Sequence, residues 1–328
     1  MKNKETNIKI SVVVPTFNEE RSISKLIDAL LLQSFLPDEI IICDKHSTDN
    51  TIKIVSSYFA KHNNIKIINR IGLCRGAGRN EGIQHSNNEY IALIDAGIIP
   101  DKDWLYNFVK NLNTEINYDI IFGSVYFITN NIFEESYAST FFDKAKKRDY
   151  IIPSVASMFM KRSAWKYLGG FPESIDGSYV VEDLRFINLI NDSNLSKVFE
   201  PKAKVKWIID LSLKEIFKRF FDNSYGGLKA GFFKTWHLGL VRNLFVISFL
   251  IYFAITISNI FYIILIILIP TKSFFYLRFT EWFKKNTIIK KINYLLFTSF
   301  IFILIDLSSL LALIKWIFSG FPKIKDKK

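Results

Sequence analysis

At 328 residues, 49% of them hydrophobic, the chain is long enough to bury one large core or two modest ones, which sets intrinsic disorder aside. The formal charge of +12 is unevenly placed, with eleven Lys and Arg against three acids over residues 243–328. Basic charge set among apolar and aromatic residues points to an anionic membrane surface rather than to nucleic acid, whose readers spread cations over a polar face. Cys43 and Cys74 are too few and too differently placed for a disulfide framework, which fits a reducing compartment. The polar lead MKNKETN runs straight into a β-branched segment ending at Pro15, unlike a signal peptide, so the first domain is expected to stay on the cytoplasmic side.

From the N-terminus, short β-branched runs alternate with helical periodicity, the order of βαβ units and a mostly parallel sheet. Strands are predicted over Ile8 to Val14, Glu39 to Cys43, Ile65 to Ile68, Tyr90 to Ile94 and Ile120 to Ile128. Ile23, Leu26, Ile27, Leu30 and Leu31 fall on one helical face, in a helix entered through Asn18 with Glu19 and Glu20 at its positive end. Further helices are predicted near Thr48 to Lys61, Gly76 to Ser86 and Lys102 to Leu112. The pattern loosens from Asn130 to Arg148 and resumes with Ser154 to Met160, a strand near Lys202 to Ile208 and a helix over Leu211 to Phe221.

Leu244 to Ile269 is an unbroken uncharged run long enough to cross a hydrocarbon core of roughly 30 Å. A second run, Leu295 to Ile314, contains Asp306, which is costly in lipid unless it faces protein, water or headgroups. These features predict an α/β domain over residues 1–235 and a multi-pass membrane-anchoring region over 236–328. In that region spans at 244–269 and 295–314 flank a basic aromatic loop, 271–292, suited to a headgroup surface.

Ligands of an open α/β sheet bind beyond the carboxyl ends of its strands. Polar clusters lie there: Pro15 to Glu19 after the first strand, Asp44 to Asp49 after the second, Gly72 to Gly82 in the third unit, and Asp95-Ala96-Gly97 after the fourth. Singly, each also reads as a helix cap or turn. The turn PTFNEE has no glycine, which excludes a dinucleotide fingerprint, and no Walker sequence occurs.

Taken in order, VVVPTFNEE, DKHSTDNT, GAGRNEGI and IALIDAG followed by PDKDWL resemble the family 2 glycosyltransferases of GT-A fold. SMFMKRSAW leading into GGFPE, and Glu182-Asp183 opening a helix, agree, so the resemblance covers roughly residues 8–210. It implies a nucleoside-diphosphate sugar donor, a divalent cation (Mg²⁺ or Mn²⁺) and inverting transfer to an acceptor hydroxyl. By position in the family's pattern, Thr16 and Asp44 are expected at the nucleoside, Asp95 at the metal and Arg79 at the phosphates. Asp183 is expected as the general base, with Glu182 and Trp104 near the acceptor. The implied partners are a lipid-linked or glycan acceptor and anionic membrane lipid, as in cell-envelope glycan synthesis, with no nucleic acid.

Two departures stand out. Gly97 replaces the second carboxylate of the usual Asp-x-Asp metal motif, and no Gln-x-x-Arg-Trp motif of processive synthases occurs. The first leaves a second reading open, a catalytically weak sugar-nucleotide-binding or scaffolding membrane protein.

Overall fold

The computed structural model describes residues 8–70, 74–112, 114, 116–142, 154–173, 181–210, 212–278 and 281–323. Gly72, Arg148, Leu211 and the tail residues Lys325, Lys327 and Lys328 lie outside the described residues. The chain forms two compact units, one comprising Met1–Ile128 and Ile152–Ile208, the other Thr129–Ile151 and Ile209–Ile324.

The first unit runs β1 (Ile10–Thr16), α1 (Ile23–Leu31), β2 (Glu39–Asp44), α2 (Thr51–Phe59), β3 (Ile65–Asn69), α3 (Arg75–His85), β4 (Tyr90–Ile94), β5 (Ile98–Pro100), α4 (Trp104–Leu112) and β6 (Ile120–Ile128). α5 (Ile132–Phe142) belongs to the second unit. The first resumes with β7 (Ser157–Lys161), α6 (Arg162–Tyr167), α7 (Glu182–Asp192) and β8 (Lys197–Ile208).

Eight strands form one sheet in the order β3-β2-β1-β4-β7-β6-β8-β5. The first four are mutually parallel, as the alternation of strand and helix implies, and β6 pairs parallel with β8. β7 runs antiparallel to both β4 and β6, and β5 antiparallel to β8, so the sheet is mixed beyond β4. Every residue of β1 and β2 is buried, because helices cover both faces of the parallel half. Ile23, Leu26, Ile27 and Leu30 of α1 seal one face, packing with Trp104, Leu105 and Phe108. On the other face, Ile83, Phe171, Phe186 and Ile190 pack with Val13, Ile41 and Leu93.

Glycine sets how closely α3 lies on the sheet. A Cβ on Gly82 would sit 2.4 Å from Val13 Cγ1 and 2.8 Å from Cys43 Sγ, and one on Gly76 would sit 2.8 Å from the Pro172 carbonyl oxygen. The glycine-rich stretch is therefore helix at its close-packed end, not a phosphate-cradling loop.

The entry to α1 also differs from expectation. Asn18 does not cap it: the helix begins at Ile23, and Asn18 adopts a left-handed backbone with φ 54°. Its Oδ1 instead accepts from the Thr48 amide at 2.8 Å, across to the next loop.

The second unit is helical: α5, α8 (Leu213–Lys229), α9 (Phe233–Thr256), α10 (Ile260–Leu277), α11 (Glu281–Lys285) and α12 (Ile288–Phe318). α8 opens with a capping box in which Ser212 and Glu215 satisfy each other's backbone amides. It packs on α12, with Lys315 Nζ 4.8 Å above the Tyr225 ring, and α5 meets α12 through Phe133 and Phe297, 5.9 Å between ring centroids.

Among the described residues, three helices are long and apolar enough to cross a membrane: His237–Thr256, Ile260–Leu277 and Ile288–Phe318. The single span expected over 244–269 is interrupted, since α9 ends at Thr256 and α10 starts at Ile260. At the start of α10 the Ile260 amide donates to Ser258 Oγ at 3.3 Å. The expected loop 271–292 is mostly helix, divided among the end of α10, α11 and the start of α12. Asp306 of the last apolar helix faces protein: Lys272 Nζ of α10 lies 3.6 Å from its carboxylate and 4.5 Å above the Phe302 ring.

Candidate active site

The carboxyl ends of β1 and β2 are laced together by their following loops. The Asn18 amide donates to Ser47 Oγ at 2.8 Å, the Glu19 amide to Thr51 Oγ1 at 2.8 Å, and the Glu20 amide to Asp49 Oδ2 at 3.1 Å. In return the Asn50 amide donates to Glu20 Oε2 at 3.0 Å. Asp44 is wholly buried and accepts from both the amide and the hydroxyl of Ser47 at 2.6 Å. Thr16 Oγ1 donates to the Val14 carbonyl at 3.3 Å, and the Thr16 carbonyl accepts the Lys45 amide at 2.9 Å. His46 is left-handed with φ 62°, a region in which Asn, Asp and His are the commonest residues after glycine. Thr16 and Asp44 thus hold the turns after their strands, and Phe17 stands half-exposed beside them with Lys45 Nζ 5.6 Å from its ring.

Next to this turn, one arginine gathers the acids. Arg79, on α3 and only 1% exposed, donates from one terminal nitrogen to Asp95 Oδ1 at 2.7 Å and from the other to Glu182 Oε1 at 3.0 Å. Its guanidinium lies 5.3 Å from the Phe171 ring, which itself stacks on Phe186 at 3.8 Å. Burial opposes its charge, but Asp95 and Glu182 outweigh that and hold its pKa above the ordinary value. Arg79, expected at the donor phosphates, here ties the end of β4 to α7 through one bond from each terminal nitrogen. The exposed cation at this edge is Arg75, first residue of α3, whose charge bears on Glu19, Asp183 and Arg79.

Asp183 lies beside Glu182 in the first turn of α7, half-buried, and accepts the Leu184 amide at 2.8 Å. Burial first, and the Glu182 charge second, raise its pKa, with Arg79 pulling the other way. Val181, just before the pair, is left-handed with φ 34°, a strained conformation for a β-branched residue. Such strain is kept where surroundings over-determine it, and here it turns two consecutive carboxylates into one site.

Trp104 does not join this group. Its ring is wholly buried, edge-on to Phe108 with centroids 5.4 Å apart, and its Nε1 donates to Ser157 Oγ at 2.9 Å. The acceptor contact expected of it is closed to a core residue.

Sequence reasoning missed Asn80. Its Oδ1 accepts from Trp165 Nε1 at 2.9 Å and the Phe171 amide at 2.8 Å, and its Nδ2 donates to the Phe171 carbonyl at 2.9 Å and Glu173 at 2.7 Å. It pins the Gly169–Gly170 turn, both glycines left-handed at φ 77° and 80°, against α3. The only signal was its place next to Arg79 on the helix, one position off the ion-paired face.

A divalent cation fits the chemistry of Asp95, a hard oxygen ligand at the end of β4. Among the described residues no group of three or more His, Cys, Asp or Glu side chains is gathered for a metal. A cation here would therefore draw most of its ligands from phosphate and water, as Mg²⁺ commonly does.

The structure is thus a mixed α/β domain with an acidic cluster beyond the ends of its parallel strands. Comparison with known proteins narrows this description: residues 11–168 match the family described as Glycosyl transferase family 2. A Methanococcus voltae protein named dolichyl N-acetyl-alpha-D-glucosaminyl phosphate 3-beta-D-2,3-diacetamido-2,3-dideoxy-beta-D-glucuronosyltransferase is 34% identical over 105 residues, 31% of this chain and 33% of that one. The poly(ribitol-phosphate) beta-glucosyltransferase of Bacillus spizizenii is 34% identical over 116 residues, 33% of this chain and 18% of its own length. This chain thus spans a third or less of these relatives. The structure of a mannosyltransferase from Pyrobaculum calidifontis in complex with GDP-Man and Mn²⁺ superposes with a TM-score of 0.62, covering 92% of this chain and 87% of that one at 15% identity. That likeness shows a GT-A-like fold, and the family match and the named relatives make the first unit similar to the family 2 glycosyltransferases.

Proposed function

We propose that this protein transfers a glycosyl group from a nucleoside-diphosphate sugar to an acceptor hydroxyl, with inversion at the anomeric carbon. The observation that carries the reading is the joining of Asp95 and Glu182-Asp183 through Arg79, beyond parallel strands of a domain that matches a glycosyltransferase family. Asp183 takes the acceptor proton as the acceptor oxygen attacks the anomeric carbon, and the bond from that carbon to the diphosphate breaks. The half-buried position of Asp183 suits a base with a raised pKa. Asp95 would hold the cation, which when bound offsets the charge developing on the leaving diphosphate. Arg75 supplies positive charge at the same edge, where the amino end of α3 also favours anions. Thr16 and Asp44 act by holding the turn that receives the nucleoside.

The test is a panel of UDP-, GDP-, ADP-, CDP- and dTDP-sugars offered to detergent-solubilised protein with Mn²⁺. At least one donor is expected to raise the melting temperature and to release its nucleoside diphosphate on adding a lipid-linked or glycan acceptor. Binding with no release from any donor would favour the sugar-nucleotide-binding reading that Gly97 raised.

The break between α9 and α10 supports an arrangement of three crossings. If α9, α10 and α12 each cross, the uncharged connection 257–259 lies away from the cytoplasm. The basic stretch with Arg278, Lys284, Lys285, Lys290 and Lys291 then returns to the cytoplasmic side, together with the catalytic unit. In a protein with Cys43 and Cys74 replaced, a cysteine introduced at Asn286 is expected to react with an impermeant maleimide only from the cytoplasmic side. Labelling from outside would restore the two-span hairpin.

A further inference from the structure

The metal motif lost its second carboxylate at Gly97, and the space beside that glycine is faced by another acid. A Cβ built on Gly97 would stand 3.7 Å from Glu19 Oε2 and 3.8 Å from Glu19 Oε1, with nothing else within 4 Å. A carboxylate at position 97 would thus project toward the place where the Glu19 carboxylate already sits. Gly97 is two residues from Asp95, so the two carboxylates share one edge of the site.

Glu19 is held there by its surroundings. Its amide donates to Thr51 Oγ1 at 2.8 Å, its carbonyl accepts the amides of Ser22 at 3.0 Å and Ile23 at 2.9 Å, and its carboxylate accepts a short hydrogen bond from Ser22 Oγ. Every one of these bonds fixes backbone or carboxylate orientation, as groups behind a metal ligand do. Glu19 is half-buried, and with α1 starting only at Ile23 it lies outside the helix it was expected to begin.

We propose that Glu19, from the loop after β1, supplies the second protein carboxylate to the divalent cation held by Asp95, taking the place of the acid missing at Gly97. This rests on the donor-binding reading above. Two carboxylates crowded on one edge repel each other, and a cation between them removes that cost. Two protein carboxylates, completed by diphosphate oxygens and water, also make an ordinary ligand set for Mg²⁺ or Mn²⁺.

The test measures Mn²⁺ uptake directly, by loss of the free-ion EPR signal, on full-length protein with UDP or GDP present. Glu19→Gln keeps an acceptor for Ser22 Oγ but removes the charge, and it is expected to weaken Mn²⁺ binding about tenfold or more. Adding Gly97→Asp to that variant is expected to restore most of the affinity, since position 97 has room for a Cβ and no left-handed backbone. Gly97→Leu alone, which leaves Glu19 and its bonds in place but fills the space beside it, is expected to weaken Mn²⁺ as well. It keeps the test alive should Glu19→Gln fail to fold. Nucleotide-induced melting shifts in EDTA are expected to be equal in all four proteins. Unchanged Mn²⁺ affinity in Glu19→Gln, or no Mn²⁺ uptake by the wild type with nucleotide bound, overturns the proposal and leaves the donor reading standing. No melting shift with any of the five nucleoside diphosphates in the wild type defeats the donor reading itself, and the proposal with it.

Discussion

Asp183→Asn is expected to lower glycosyl transfer by about 10²-fold or more, the usual worth of a positioned general base. Nucleoside-diphosphate binding should stay close to wild type. The amide preserves shape and can still accept the Leu184 amide, but it cannot take a proton. Burial first, and the neighbouring Glu182 second, raise the Asp183 pKa above its ordinary value. A base must be ionised to act, so the wild-type rate should fall as pH drops through that raised pKa, and the fall should be absent from the residual activity of the variant. Rates and nucleotide melting shifts measured across pH check both points. Wild-type turnover in Asp183→Asn would assign the base elsewhere.

The second large effect is on stability. Arg79→Met is expected to destabilise the first unit by about 3–5 kcal/mol, because it strands a buried acid rather than because it loses a favourable pair. Glu182 is as buried as Arg79, with side chains 2% and 1% exposed, whereas Asp95 at 29% keeps part of its hydration and loses less. The double variant Arg79→Met, Glu182→Gln removes the stranded charge and should recover much of the loss, which a direct phosphate contact would not explain. Thermal melts of the single and double variants, with nucleotide absent, read this out. Equal melting temperatures for wild type and Arg79→Met would mean that the guanidinium is not the tie between β4 and α7.

The two effects separate what local sequence can say from what packing decides. The βαβ order, the buried strands β1 and β2 and the apolar face of α1 were legible because burial on both faces makes a strand a continuous β-branched run, while burial of one face gives a helix a period of 3.6. The acids at strand ends were legible for a related reason: in a sheet of this kind polar clusters after strands are where a ligand can reach. Partner choice was not. Nothing in the local sequence of Arg79 announces two carboxylates 16 and 103 positions away, and the approach of α7 to α3, permitted by Gly76, is what brings Glu182 to it. Trp104 likewise follows a polar turn yet turns into the core, because helix α4 presents it to Phe108 and Ser157.

The apolar C-terminal region marks the same limit. Composition by itself determined that residues after about 240 hold helices long and apolar enough for a bilayer. Where the first run breaks is decided at residues 257–259, between the end of one helix and the start of another, a local backbone choice that hydropathy does not register. Asp306 reads from sequence as a cost in lipid, and tertiary structure supplies Lys272 from another helix to meet it. Gly97 is the sharpest case. Sequence registers a missing carboxylate, while the fold brings Glu19 to the same place from 78 positions earlier, because loops after neighbouring parallel strands end at the same edge of the sheet.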